Sequence, residues 1–581
     1  MTSVENARAI PGSTSVLDST YRSGLAGALA RRMTARVSVI VLVGAVAVLI
    51  IRPLYEIVHK AFENGTRGFH AVGETSDIGQ AVEATVWLAL GSTSMALVLG
   101  IALAWYALRL PRGFGWLSIA PVLPIVMPAV ASIMGWVFIF SPRIGYGNQV
   151  LRLLPWWSGQ AKGPVDVFTL PWIVLITGLG LSSFVYLFVS AGLRNVNGEL
   201  LEAAQTSGSS SIGAFFRVLL PMLRPSLVYS TAVCLMLALG QFTAPLLLGS
   251  QVGLQVLTTE MYTRLTRAPF VDIGAAAAIA TPLTVVGVLF VIGQRLVIGD
   301  QARFVSLGAK SFRPVGNKSP WSAVILLVYV FAAALLPLIG LVLAAFTPYW
   351  SGHVDLGLLT MQNISDAFAN NRVTSGVRNS VVFASSAVFI TLPLGFVVAS
   401  LLVRTQRYRV LRAVLDFIVA LPLGVPAVMF GFGFLFAYSK GPLQLVGTST
   451  IVVLVYVALM LPFATRLMLS GMIGLGSAHT EASATCGAGT IYTNFRVTLP
   501  MMRSAIGGAA AVTFILLSHE FAASLLVRNI DTNVMGTVLY DAYTNGQYSL
   551  VAVIGLIMTA VTSVGLIIAL FIGGRRALDA L

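Results

Sequence analysis

Runs of roughly twenty apolar residues recur from one end of this chain to the other. Each is long enough to cross a hydrocarbon core about 30 Å thick. Within a bilayer every backbone N–H and C=O must find a partner inside the protein, so such runs fold as helices or close into a barrel. A barrel needs alternating segments of about ten residues, and these are absent. Of the 581 residues, 57% are hydrophobic and 10% charged, whereas a soluble chain carries about 25% charged residues. The sequence therefore predicts an all-α polytopic membrane protein.

Twelve spans are expected, at about 37–61, 82–107, 115–140, 171–193, 226–248 and 271–295, then 321–346, 379–403, 412–438, 449–471, 505–527 and 549–572. They form two halves that match in order. Pro53-Leu54 with Phe62 parallels Pro337-Leu338 with Phe346, and Gly100 with Arg109 parallels Gly395 with Arg404. Leu123-Pro124-x-x-x-Pro128-Ala129-Val130 returns as Leu421-Pro422-x-x-x-Pro426-Ala427-Val428. Six spans per copy is an even number, so both copies start on the same side. The expectation is a parallel duplication about an axis along the membrane normal. The divisions are a tail at 1–36, a first half at 37–295, a linker at 296–320 and a second half at 321–581.

The most specific repeat is polar. Glu202-Ala203-Ala204-x-x-x-Gly208 is followed by nine residues and then Val218-x-Leu220-Pro221. Glu481-Ala482-Ser483-x-x-x-Gly487 is followed by nine residues and then Val497-x-Leu499-Pro500. Arg217, Met222 and Arg224 recur as Arg496, Met501 and Arg503.

The net charge of +15 raises nucleic acid as a partner. Its distribution excludes that: no basic patch interleaved with aromatics and no basic tail exists. Lys and Arg accumulate in cytoplasmic loops of membrane proteins. With the N-terminus inside, Arg31, Arg32, Arg36, Arg109, Arg112, Arg194, Arg404, Arg407, Arg575 and Arg576 all fall inside. The acids Glu63, Glu74, Asp77, Asp355 and Asp366 fall outside. Both termini and both repeated loops are then cytoplasmic. Residues 1–36 are read as a tail before an uncleaved first span, since no short apolar region with a cleavage site precedes it.

Physically, Glu202 opens an Ala-rich helix, Gly208 permits a tight turn, and a second helix carries Phe216 and Val218 on its apolar side until Pro221 ends it. A carboxylate among small residues suits a partner's groove and its Arg or Lys. A single copy could merely cap an interfacial helix. Two copies at one spacing favour two docking sites.

These loops resemble the signature of permease subunits of binding-protein-dependent ABC importers. The resemblance runs from about residue 37 to 573, and Ser483 departs from the Ala usual there. It implies the type I importer fold with both halves fused. It implies that Glu202, Ala203, Ala204, Gly208, Arg217, Leu220 and Pro221, with Glu481, Ala482, Gly487, Arg496, Leu499 and Pro500, couple to two copies of a cytoplasmic ATPase. It also implies an extracytoplasmic solute-binding protein and a bacterial inner-membrane location. No G-x-x-x-x-G-K-[ST] phosphate loop exists. The nearest fragment, Gly308-Ala309-Lys310-Ser311, has Phe304 in place of the leading glycine. The chain is thus expected to bind no cofactor and to be no enzyme itself, with ATP and Mg on the partner.

Prolines 124 and 128, and 422 and 426, are expected to kink their spans and to shape a path with Gln241, Ser518, His519 and Glu520. The pair His519-Glu520 has three readings: cargo contact, gate, or partner for Arg528. Adjacent residues point about 100° apart on a helix, so the pair makes no metal site. The five histidines are scattered, and the two cysteines lie far apart. No catalytic or metal-binding constellation is expected. Glu83 and Asp416 read as interfacial polar groups. Trp156-Trp157, in a long outer loop at about 141–170, reads as a lipid-interface pair, with docking of an external partner as the alternative.

For cargo, the fused architecture, the linker Gly308-Ala309-Lys310-Ser311-Phe312-Arg313-Pro314 and Glu520-x-x-x-Ser524-Leu525-Leu526 resemble the ferric-iron branch. Relatives there also carry 2-aminoethylphosphonate, thiamine or polyamines. A twelve-span secondary transporter shares the two parallel halves, but it needs ion-coupling residues in its spans and no surface docking loops.

Overall fold

The structure is a computed structural model and describes residues 40–74, 77–194, 204, 206–266, 271–298, 318–353, 355–404, 409–441 and 443–573. Among these, all regular structure is helical. The first half contains α1 (Ile40–Phe62), α2 (Ile78–Leu108), the bent pair α3 (Gly115–Val126) and α4 (Ala129–Phe140), and α5 (Leu170–Arg194). It continues with α6 (Arg224–Leu239), α7 (Thr243–Leu248), α8 (Leu257–Thr266) and α9 (Ile273–Ile298).

The second half repeats this order. It contains α10 (Pro320–Phe346), α11 (Asn371–Arg404), the bent pair α12 (Arg409–Gly424) and α13 (Ala427–Ala437), and α14 (Ser449–Leu475). A loop of α15 (Ala478–Thr485) and α16 (Thr490–Met501) precedes α17 (Arg503–Ser518), α18 (Ala522–Val527), α19 (Met535–Thr544) and α20 (Tyr548–Gly573). Nine described helices are long and apolar enough to cross a membrane alone, and twelve spans result if each bent pair counts as one.

Four of the twelve expected spans are broken, two of them at the proline pairs expected to kink them. The pair α3–α4 turns by 92° and α12–α13 by 111°. The second proline of each pair makes the break. Met127 before Pro128 is extended (φ −78°, ψ 124°), since the residue before a proline is pushed out of the helical region. Pro124 and Pro422 sit inside the preceding helices without breaking them. The other two breaks lie between α6 and α7 and, equivalently, between α17 and α18. The 16 residues of α17 reach only about 24 Å, so the short α18 is needed to complete the crossing.

The segments after these breaks re-enter the core. Thr258, Thr259, Glu260, Met261 and Tyr262 of α8 are buried, although Leu257-Thr258-Thr259-Glu260 reads as a polar outer loop. Their polar groups are paired, as burial demands. The Thr259 hydroxyl accepts the Val256 N–H at 2.9 Å, and Thr537 accepts Val534 N–H at 3.1 Å in α19. Thr85 accepts Leu257 N–H at 2.9 Å, and Ser380 accepts Met535 N–H at 2.8 Å. Hydrogen bonding therefore repeats between halves as the sequence does.

Each half's first helix packs on the other half. A Cβ at Gly135 of α4 would collide with the Pro337 carbonyl of α10, and one at Gly433 of α13 with the Pro53 carbonyl of α1. Glycine permits this close helix approach, which in lipid supplies much of the packing. The halves also meet where α9 crosses α12, with Gly287 and Gly424 backbone to backbone.

Candidate coupling loops and translocation path

The second polar loop is described in full. Glu481 lies exposed in the first turn of α15, where a carboxylate complements the helix dipole. Gly487 ends that helix in the left-handed region (φ +79°). The Gly487 N–H then reaches the Ala484 carbonyl at 2.9 Å, and the Ala488 N–H reaches Ser483 at 3.1 Å. This double bond pattern is the Schellman stop, which needs a residue free to adopt positive φ. In the first loop Gly208 stands at φ +85° and Ser209 N–H bonds Ala204 at 3.0 Å. Glu202 and Ala203 lie outside the described residues, so the first carboxylate has no described position.

Beyond each glycine the chain forms a second short helix, 211–222 in the first half and α16 in the second. Both widen by one residue before the Leu-Pro pair. Leu220 N–H bonds Phe215, and Leu499 N–H bonds Asn494, five residues back. Pro221 and Pro500 lack the N–H that would bond Arg217 and Arg496, and the wider turn absorbs the gap. Neither proline ends its helix: the chain turns two residues later, at Leu223 and Met502, by 73° in the second half.

The exposed faces of these helices match. Phe216 and Phe495 are 60% and 68% exposed, Met222 and Met501 42% each, and Arg217 and Arg496 are also exposed. Phe216 was expected on the apolar packing side. Phe215 occupies that side instead, its ring tilted against Trp105 at 4.4 Å, while Trp105 lies under the Arg109 guanidinium at 4.1 Å. Leu220, Leu499, Ala204 and Pro221 are half-buried, and Ala482, Gly487 and Pro500 exposed. Each loop thus presents a recurrent apolar and cationic face away from its own bundle.

In the broken spans, Gly240-Gln241-Phe242 is equivalent to His519-Glu520-Phe521. Phe242 and Phe521 share one backbone conformation (φ −123°, ψ −45° and φ −125°, ψ −45°). Their rings stack on each other at 6.0 Å, and each packs on the equivalent tyrosine, Tyr262 at 5.6 Å and Tyr540 at 5.7 Å. Sequence reasoning passed over both phenylalanines because they are ordinary apolar residues in an apolar run. Their signal is their place next to Gln241 and Glu520.

Glu520 has a local task. Its carboxylate accepts Ala523 N–H at 2.8 Å, Ser524 N–H at 2.9 Å and the Ser524 hydroxyl at 2.5 Å. Tyr456 reaches the same Ser524 hydroxyl at 2.8 Å. Arg528, the partner in one of the three readings of the His519-Glu520 pair, instead forms a two-pronged pair with Asp541 at 2.7 Å on both prongs. His519 Nε2 is enclosed without a hydrogen-bond partner. Ser518 is buried and donates to the Ile515 carbonyl at 2.9 Å. Gln241 touches Thr177 at 3.4 Å and caps Phe242 N–H at 3.1 Å. Pro426 lies against Gly240, so the break of α12–α13 in one half meets the break of α6–α7 in the other. Pro128 is buried. Among the described residues no three His, Cys, Asp or Glu side chains converge as a metal site.

Two parallel halves of helices, broken by proline and glycine and carrying paired surface loops, define a multi-pass membrane permease. The family described as "Binding-protein-dependent transport system inner membrane component" matches residues 90–300 and 391–577, more than half of the chain. The protein belongs to that family, which decides against the secondary transporter. The chain is similar to a probable ABC transporter permease protein, y4fN, of Sinorhizobium fredii, at 27% identity over 86% of this chain and 89% of that one. It is also similar to the ferric transport system permease protein FbpB of Actinobacillus pleuropneumoniae, at 24% identity over 80% of this chain and 67% of that one. A putative 2-aminoethylphosphonate transport system permease protein, PhnV, of Salmonella typhimurium matches at 23% identity over 42% of this chain and 88% of that one.

Proposed function

We propose that this chain is the membrane subunit of an ATP-driven importer that takes ferric iron from an extracytoplasmic binding protein. The observation that carries the importer reading is the recurrence of one exposed surface, Phe216, Arg217 and Met222 in one loop and Phe495, Arg496 and Met501 in the other. Two equal surfaces fit two copies of one cytoplasmic ATPase, with Glu202 and Glu481 facing its basic groups. ATP and Mg belong to that partner, and both termini lie on its side of the membrane. Closure of the ATPases moves the two loops, and the halves rock about the stacked Phe242 and Phe521. Gln241, Glu520 and the breaks at Pro128 and Pro426 border the path.

The ferric-iron relative, similar along most of the chain, favours that cargo over the 2-aminoethylphosphonate of the shorter match. The test is ATP hydrolysis by the complex reconstituted with its binding protein. Stimulation by the iron-loaded binding protein alone supports the whole reading. Stimulation by the same protein loaded with 2-aminoethylphosphonate, and not iron, replaces the cargo. Failure of the chain to assemble with any ATPase overturns the importer mechanism.

A further inference from the structure

Asp416 lies midway along α12 in the second half, and two arginines converge on it. Arg295, from α9 of the first half, forms an ion pair with one carboxylate oxygen. It also donates to the Ala413 carbonyl at 2.9 Å and lies 5.4 Å from the Phe417 ring centre. Arg466, from α14 of the second half, binds the other oxygen at 2.9 Å. The three side chains are about equally shielded, at 30%, 27% and 31% exposure. Along the same helix pair, Gly287 and Gly424 bring the two backbones into contact. The ion pair therefore stands at the end of the seam where the halves touch. Arg466 belongs to the helix that runs directly into α15 and Glu481.

We propose that Asp416 is a positioning residue of the transport cycle: it latches the first half to the second through Arg295, and it ties that latch to the second coupling loop through Arg466. The carboxylate neutralises one of two arginines that otherwise repel each other. Pulling α14 moves Arg466 against Asp416 and loads the Arg295 contact, so motion of one loop reaches the opposite half. Ser118 stands at the equivalent place in the first half, so the latch is one-sided. Its role in coupling rests on the importer reading above; the latch itself does not.

The latch is tested on the permease alone in nanodiscs, by pulsed spin-label distances between Leu296→Cys and Val410→Cys in a Cys234→Ser, Cys486→Ser background. Both label sites are well exposed. The wild type gives one short, narrow distance. Asp416→Asn lowers that closed population about fivefold, the ratio set by an ion pair at the upper end of the exposed range. Arg295→Gln does the same and serves if Asp416→Asn fails to fold; Arg295→Lys keeps the closed distance. Wild-type distances in both Asp416→Asn and Arg295→Gln overturn the latch. In the complete complex, Arg466→Gln keeps the closed distance and lowers stimulation of ATP hydrolysis by the loaded binding protein. Unchanged stimulation overturns the link to the coupling loop. A wild-type permease that recruits no ATPase overturns the importer reading and leaves the distance test standing.

Discussion

The rings of Phe242 and Phe521 lie 6.0 Å apart with planes inclined by 26°, so two equivalent helix breaks close against each other across the halves. Both rings are nearly inaccessible. On the path proposed above, these stacked aromatics with tyrosines behind them would act as a plug, since an ion pressed between apolar rings loses its hydration.

Removing the plug should open the path. Phe242→Ala with Phe521→Ala is expected to raise passive solute leak through reconstituted permease, and each single change less so. Loss of a buried Phe costs about 3–5 kcal/mol, so the Leu pair is the gentler form. Proteoliposomes of both double variants that stay as tight as wild type would show that these rings do not seal the path.

The apolar runs were legible because a bilayer imposes length and composition on every crossing segment. The repeat, the loops and the two halves followed from residue identity alone. Other features depended on what lies beside a helix. Hydropathy does not distinguish lipid from protein as a neighbour, so it could not show α1 and α10 crossing onto opposite halves. The polar text of Leu257-Thr258-Thr259-Glu260 hid a buried helix because its hydroxyls are satisfied by backbone groups. Asp416 looked interfacial because Arg295, its partner, is 121 residues away in sequence.

The crossing of first helices gives a second test. Gly135→Ala and Gly433→Ala each drive a methyl group into a proline carbonyl, and such overpacking costs about 1–3 kcal/mol. Both should lower the thermal midpoint of the purified protein in detergent. Gly180→Ala, in α5 with nothing near its Cβ position, should leave the midpoint unchanged. Equal behaviour of all three would remove the close approach as a stabilising contact.

Asn148 holds the long outer loop. Buried to 1% exposure, it donates to the carbonyls of Phe140 (3.0 Å), Ser141 (3.0 Å) and Val165 (2.7 Å) and accepts Val165 N–H at 3.2 Å. Asn148→Ala strands these backbone groups, at about 1–3 kcal/mol for each one left unsatisfied. Limited proteolysis should then cut within 141–169 faster, with the rest of the chain equally resistant. An unchanged cleavage rate there would mean that other contacts hold the loop.

Ser483 is the one residue of the second candidate coupling loop that departs from the expected Ala, and its partner explains it. Its hydroxyl lies 2.8 Å from that of Thr493, so a hydrogen bond ties α15 to α16 across the turn. The equivalent positions in the first loop are Ala204 and Ala214, which join an apolar cluster instead. One loop is thus braced by a polar pair and the other by an apolar pair. Ser483→Ala alone removes one partner, and the net loss should be about 0.5–1.5 kcal/mol, limited because Thr493 keeps its bond to the Gly489 carbonyl at 3.1 Å. Ser483→Ala with Thr493→Ala copies the apolar arrangement and should cost less than the sum of the single changes. A thermal double-mutant cycle on the permease measures that coupling directly. Strict additivity would mean that the two hydroxyls do not act as a pair, and Ser483 would then be a neutral substitution in the loop.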